Sequence, residues 1–183
     1  MIALLLLAVA LAMDAFAVAL CQGAAARPSY AQALPIAGAF GLAQAVMPAG
    51  GWLLGTAFAG AIASVDHWVA FVLLAGLGIK MAREGFQPAP PCPPALLGGR
   101  ALFIAAIATS IDAAAAGIAL PTMGVPVLLA CLVIGVVTAL ISYGGALSGA
   151  RLGTALGKKA EVAGGIVLIL IGARILADHM GWL

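Results

Sequence analysis

Two carboxylates stand in this chain where an apolar run should hold none. Asp14 falls inside MIALLLLAVALAMDAFAVAL and Asp112 inside ALFIAAIATSIDAAAAGIAL, each run as long as the roughly 20 residues a membrane-spanning helix needs. At 1.5 Å per residue each acid lies roughly 17–18 Å along its helix, near the bilayer centre. Aspartate is too short to reach the surface from there, and placing one at a helix centre costs about 2.5–3.5 kcal/mol. Two such acids supply the two negative charges that match a divalent cation. Neutral oxygens are at hand in Gln44 and Thr138, and in Thr109, one turn before Asp112 on the same face. Carboxylate, amide and hydroxyl oxygens suit hard ions such as Mg²⁺, Ca²⁺ and Mn²⁺. The softer donors are remote: His67 and His179 sit near span ends, and Cys21 is about 10 Å along the helix from Asp14. The competing reading is structural, a hydrogen bond between protonated carboxyls or an ion pair with Lys80 or Arg174.

The elements that must position these groups follow from composition. Of 183 residues, 65% are apolar and 8% charged, with a mean hydropathy of +1.23, against about 25% charged in a soluble domain. That excludes a soluble enzyme, a nucleic-acid binder and a disordered chain. It predicts an all-α integral membrane protein with six transmembrane helices, over about 2–21, 33–60, 67–86, 101–120, 125–149 and 161–181. The N-terminal run has no basic n-region and carries Asp14, so it reads as the first span rather than a cleaved leader. Five prolines within residues 88–94 predict a stiff extended linker, which divides the chain into a first three-helix repeat (1–87) and a second (95–183). Met47-Pro48-Ala49-Gly50-Gly51 predicts a kink or break in the second span. Cys21, Cys92 and Cys131 show no metal-site spacing and read as apolar fillers. With the N-terminus outside, seven of the eight basic residues, all but Arg174, fall on the inner side, so the positive-inside rule places both termini outside.

The two halves resemble each other. Met13-Asp14-Ala15 aligns with Ile111-Asp112-Ala113 at an offset of 98 residues. Gln44 aligns with Thr138, the Gly50-Gly51 to Gly55 pattern with Gly144-Gly145 to Gly149, and Lys80/Glu84 with Arg174/Asp178, all at an offset of 94. Three spans per half force consecutive copies to insert in opposite directions. Inverted repeats of this kind are a common transporter plan, with the site where the copies meet. The Lys80/Glu84 and Arg174/Asp178 spacings predict local ion pairs on one helix face.

Several stretches together resemble the bacterial MntP family of manganese efflux pumps: Met13-Asp14-Ala15-Phe16-Ala17, His67-Trp68-Val69-Ala70-Phe71-Val72-Leu73-Leu74, Glu84-Gly85-Phe86, Ala108-Thr109-Ser110-Ile111-Asp112-Ala113 and Gly157-Lys158-Lys159-Ala160-Glu161. The resemblance runs over nearly the whole chain. It implies export of Mn²⁺ across the bacterial plasma (inner) membrane, with the acids of its two motifs, here Asp14 and Asp112, as the critical residues. Some relatives have Glu where this chain has Gln44, which removes a third charge. The linker, often charged in relatives, is proline-rich here and reads as a spacer. Mn²⁺ is then the transported substrate, with no resident cofactor, no nucleic-acid partner and no enzymatic activity. Alternating access is the expected mechanism. Two acids held close in a low dielectric repel each other, so the arriving metal would displace a proton and counter-transport would follow. The alternatives are an exporter of another cation (Ca²⁺, Mg²⁺ or a cationic amino acid) and an intramembrane aspartyl enzyme.

Overall fold

Runs of alanine and leucine, strong helix formers in water and in lipid alike, fold here as helices, and no strand forms among the described residues. The computed structural model describes residues 1–57, 66–88, 91–92 and 98–180. The helices are α1 (Ile2–Ala26), α2 (Tyr30–Ala57), α3 (Asp66–Phe86), α4 (Gly99–Ala108), α5 (Ile111–Ala119) and α6 (Val127–His179). A 3₁₀ turn, Leu120–Met123, links α5 to α6. Four stretches are long and apolar enough to cross a membrane: Ile2–Ala26, Tyr30–Ala57, Gly99–Ala119 and Val127–Asp178. α3 has a similar length but carries Lys80, Arg83 and Glu84 towards its end. Most of the expected linker over 88–94, and the expected span ends at 58–60 and 181, lie outside the described residues.

Local chemistry sets the boundaries. α1 stops where Arg27 turns left-handed (φ 48°) and its N–H reaches the Gly23 carbonyl, and Pro28 has no N–H to extend the ladder. Ser29 then opens α2 through a reciprocal cap. Its N–H donates to Gln32 Oε1 at 3.0 Å and its Oγ accepts the Gln32 N–H at 3.4 Å. α6 is two helical arms, 127–152 and 154–179, joined at Gly153 (φ 66°, ψ 177°), a backbone region open essentially to glycine alone.

Two expectations are corrected. The break predicted at Met47–Gly51 is absent, for α2 runs through both Pro35 and Pro48 without interruption. The chain instead breaks between α4 and α5, at Thr109-Ser110, where both hydroxyls donate back to the Ala106 carbonyl, at 3.2 and 2.7 Å. Side chains that bond backward in this way offer the backbone an alternative to the regular ladder. Proline removes one ladder bond, which a helix packed on its neighbours tolerates. The second correction concerns the cysteines. Cys21 and Cys92, expected as unpaired fillers, form a disulfide with Cα atoms 5.5 Å apart, while Cys131 is free and buried. The pairing joins residues 71 apart, which spacing in sequence does not encode.

α6 is the centre of the bundle, packing on α1, α2 and α3, while α2 also packs on α5. Close approach is made by glycine, and the contacts occur in related pairs. A Cβ on Gly41 would lie 2.9 Å from the Gly135 carbonyl oxygen, and a Cβ on Gly135 2.9 Å from that of Gly41. Gly51 abuts Ala114 and Gly117 of α5, and its counterpart Gly145 abuts Phe16 and Ala19 of α1. Gly55 meets Ile118, and Gly149 meets Leu20. Each pair preserves the offsets seen in sequence, 94 for the glycines of α2 and α6 and 98 for their partners on α1 and α5. Around this core many large apolar side chains face outward, Leu42, Leu53, Val72, Phe103, Leu128, Leu140 and Leu170 among them, a surface suited to lipid rather than water.

Candidate functional site

Asp112 owes its position to the break in front of it. It stands in the first turn of α5, only 4% exposed. Its Oδ1 accepts the Ala113 N–H at 2.7 Å, and its Oδ2 has no partner. Asp14 lies within the unbroken α1, partly buried among Leu11, Ala12 and Ala15. Asp14 and Lys80 both act electrostatically on Asp112, and Lys80 acts on Asp14 as well. Neither acid forms an ion pair among the described residues. Lys80 instead pairs with Glu84 at 3.6 Å and Arg174 with Asp178 at 3.7 Å, the two local pairs their spacing predicts. The structural reading of the acids as partners of Lys80 or Arg174 therefore has no ion pair to support it.

Gln44 ties the two acid-bearing segments together. Fully buried on α2, its Nε2 donates to the Leu11 carbonyl and to the Thr109 carbonyl, both at 3.1 Å. Leu11 is three residues before Asp14 and Thr109 three before Asp112, so one amide holds equivalent points of both halves. The amide's Oε1 is left without a partner. Pro48 adds to this, since it has no N–H to give to the main-chain carbonyl of Gln44.

The remaining expected residues are placed as follows. Thr109 contributes its carbonyl to Gln44, while its hydroxyl is turned to Ala106. Thr138 is fully buried on α6, one turn beyond the Gly41–Gly135 crossing, and its Oγ1 has no partner. Two residues escaped the reading of the sequence. Ser142, fully buried with an unpartnered Oγ, follows Thr138 by one turn, and that i,i+4 spacing was the available signal. Glu161, 8% exposed, is bound to Lys158 at 3.0 Å, and its place at the edge of a predicted span concealed it.

Four buried polar atoms (Gln44 Oε1, Asp112 Oδ2, Thr138 Oγ1 and Ser142 Oγ) thus lack a partner. Buried polar groups are nearly always satisfied, and each exception calls for an explanation. All four can accept from a cation, and three are neutral. Among the described residues no three His, Cys, Asp or Glu side chains are grouped to hold a metal, so any bound ion must complete its shell with such neutral oxygens. That is oxygen chemistry suited to a hard divalent ion. A cleft of about 920 Å³ opens at one end of the bundle, lined by Met1, His67, Arg174 and Asp178 among others. None of its lining residues belongs to the site, which lies deeper.

Gln44→Leu keeps the side-chain volume but leaves the Leu11 and Thr109 carbonyls without their donor. A buried unsatisfied group costs about 1–3 kcal/mol, so the variant should show a lower melting temperature in detergent, and loss of the Oε1 ligand should weaken divalent-cation binding. Calorimetric titration and a thermal scan of the purified protein check both.

The family model described as "Putative manganese efflux pump" (Mntp) matches residues 27–176. The chain is similar to proteins named "Putative manganese efflux pump MntP" in three organisms. It is 46% identical to that of Sorangium cellulosum, 44% to that of Rhodospirillum rubrum and 42% to that of Methanosarcina mazei, each match covering 97% of this chain and 96% of the relative. No solved structure matches.

Proposed function

The chain belongs to the MntP family of manganese efflux pumps, transporters and not enzymes, and from that premise we propose that it carries Mn²⁺ out of the cytoplasm by alternating access. Asp14 and Asp112 hold the ion, completed by oxygens of Gln44, Thr138 and Thr109. The observation that carries this reading is four buried oxygens without a hydrogen-bond partner among the described residues, one of them on Asp112, in a chain whose two intraspan acids form no ion pair there. A purely structural bundle has no use for them.

In this reading the six spans form two inverted three-helix repeats, 1–87 and 95–183, joined by the proline-rich segment 88–94 and lying in the bacterial plasma membrane with both termini outside. The reciprocal glycine contacts support the repeat, and the side shared by seven of eight basic residues supports the orientation. Cytoplasmic Mn²⁺ reaches the acids between the halves, binds with loss of a proton, and leaves through the cleft at the Met1 end after the halves rock. Proton counter-transport follows if that proton is taken up from outside.

The experiment is uptake into inverted membrane vesicles, in which efflux becomes accumulation. Mn²⁺ should accumulate well above vesicles lacking the protein, and lysine should not. Accumulation of lysine without Mn²⁺ would overturn the assignment of cargo.

A further inference from the structure

A second set of charges lies between Asp14 and the basic side of the bundle. Lys158 Nζ lies 3.0 Å from Glu161 Oε2 and donates to the Glu84 main-chain carbonyl on α3 at 3.1 Å. The pair is mostly buried, with side chains 21% and 10% exposed. The bond from Lys158 to the Glu84 carbonyl joins the second arm of α6 to the end of α3. Gly157, beside Lys158, rests on α1 one turn past Asp14, where a Cβ would lie 3.1 Å from the Ala17 Cα. Lys158, Glu161, Glu84 and Lys80 all act on the Asp14 carboxylate. The open cleft lies at the opposite end, by Met1, His67 and Asp178.

We propose that Lys158 is a positioning residue of the transport path, a built-in cation that latches α3 to α6 across the basic-side approach to Asp14 and that the arriving divalent ion must displace. The proposal rests on the assignment of Asp14 and Asp112 as the cation site. An ammonium held between a carboxylate and a carbonyl occupies a place with the same ligands and the same sign of charge as the cargo. While it remains, it repels a second cation from Asp14 and adds a polar bond between the two helices. Once displaced from both acceptors, it gives up its bond to α3 and leaves the Glu161 carboxylate uncompensated. A buried ion pair is a weak source of stability because desolvation offsets its attraction, so stability alone does not account for it.

The test depends on sign. Removing Lys158 leaves Glu161 uncompensated near Asp14, and removing Glu161 leaves an uncompensated ammonium there. In calorimetric titrations of Mn²⁺ into the full-length purified chain, Lys158→Gln should lower Kd at least about fivefold and Glu161→Gln should raise it by a similar factor. The double variant should return to within about twofold of the parent, and Lys158→Arg should stay near it. A structural role alone would shift both single variants in the same direction or neither, and either result overturns the proposal. If the single variants do not survive purification, the double variant decides, being neutral and close in volume: parental affinity supports the latch and a tenfold loss overturns it. A parent that binds no Mn²⁺ would bring down the cation-site assignment itself, and this proposal with it. A parent that binds beside unresponsive variants overturns the latch alone.

Discussion

Asp112→Asn should abolish manganese efflux while leaving the bundle folded. The exchange keeps the size of the side chain and the acceptor that takes the Ala113 N–H, but removes one of the two charges proposed to face the ion. Truncating one partner of a buried charge contact at a binding site costs about 2–5 kcal/mol, at least about an order of magnitude in affinity. Cells loaded with manganese and carrying this variant should fare no better than cells lacking the protein. Membrane levels and the detergent melting temperature should stay near those of the parent. Protection equal to the parent would contradict the assignment. Asp14→Asn should behave alike, because the other acid cannot hold a divalent ion alone in a setting this poor in water.

The second large effect is one of packing, and neighbouring glycines separate its causes. Gly51 faces α5 so closely that a Cβ would run into the Ala114 carbonyl and lie 3.1 Å from the Gly117 Cα, whereas Gly50, one residue earlier, has nothing within 4 Å. Within a helix, alanine is intrinsically favoured over glycine by about 0.8–1.0 kcal/mol. Gly50→Ala should therefore leave stability unchanged or raise it. Gly51→Ala meets main chain, which cannot turn aside as a side chain would, and should cost about 3 kcal/mol or more, the upper end for overpacked cores. Thermal scans and size-exclusion profiles in detergent should show Gly50→Ala at or above the parent and Gly51→Ala destabilised or aggregated. Equal behaviour of the two would mean that α2 and α5 do not meet at this glycine. The contact matters for function because Gly51 and Pro48 pack α2 against α5, whose first turn carries Asp112.

What sequence could convey was set by how far each feature depends on its neighbours. The helical class follows from composition and run length, since barrel strands alternate apolar and polar residues whereas these runs are continuously apolar for about 20 residues. Asp14 and Asp112 stand out because a charge in an apolar run has no local explanation. The Gly41/Gly135 and Gly51/Gly145 spacings of 94 residues, which suggest the proposed repeat, are likewise legible in sequence. Features that depend on tertiary distance were hidden. Pro48 suggested a break that does not occur, because a proline interrupts one bond and the α5 contact holds the helix through it. The actual breaks fall at Thr109-Ser110 and at Gly153, one ordinary pair of hydroxyls and one glycine among 24. The Cys21–Cys92 bond joins residues 71 apart, and nothing in their spacing indicates it. Gln44 could be nominated as an oxygen donor, but its grip on the Leu11 and Thr109 carbonyls depends on how three helices cross.

Calorimetric titration of Mn²⁺ into the detergent-purified chain, with stoichiometry as the readout, tests most directly whether one acid from each half grips a single ion. One Mn²⁺ should bind per chain in the parent, and that event should vanish equally in Asp14→Asn and in Asp112→Asn. Two ions per chain, or one variant that still binds like the parent, would contradict a shared site.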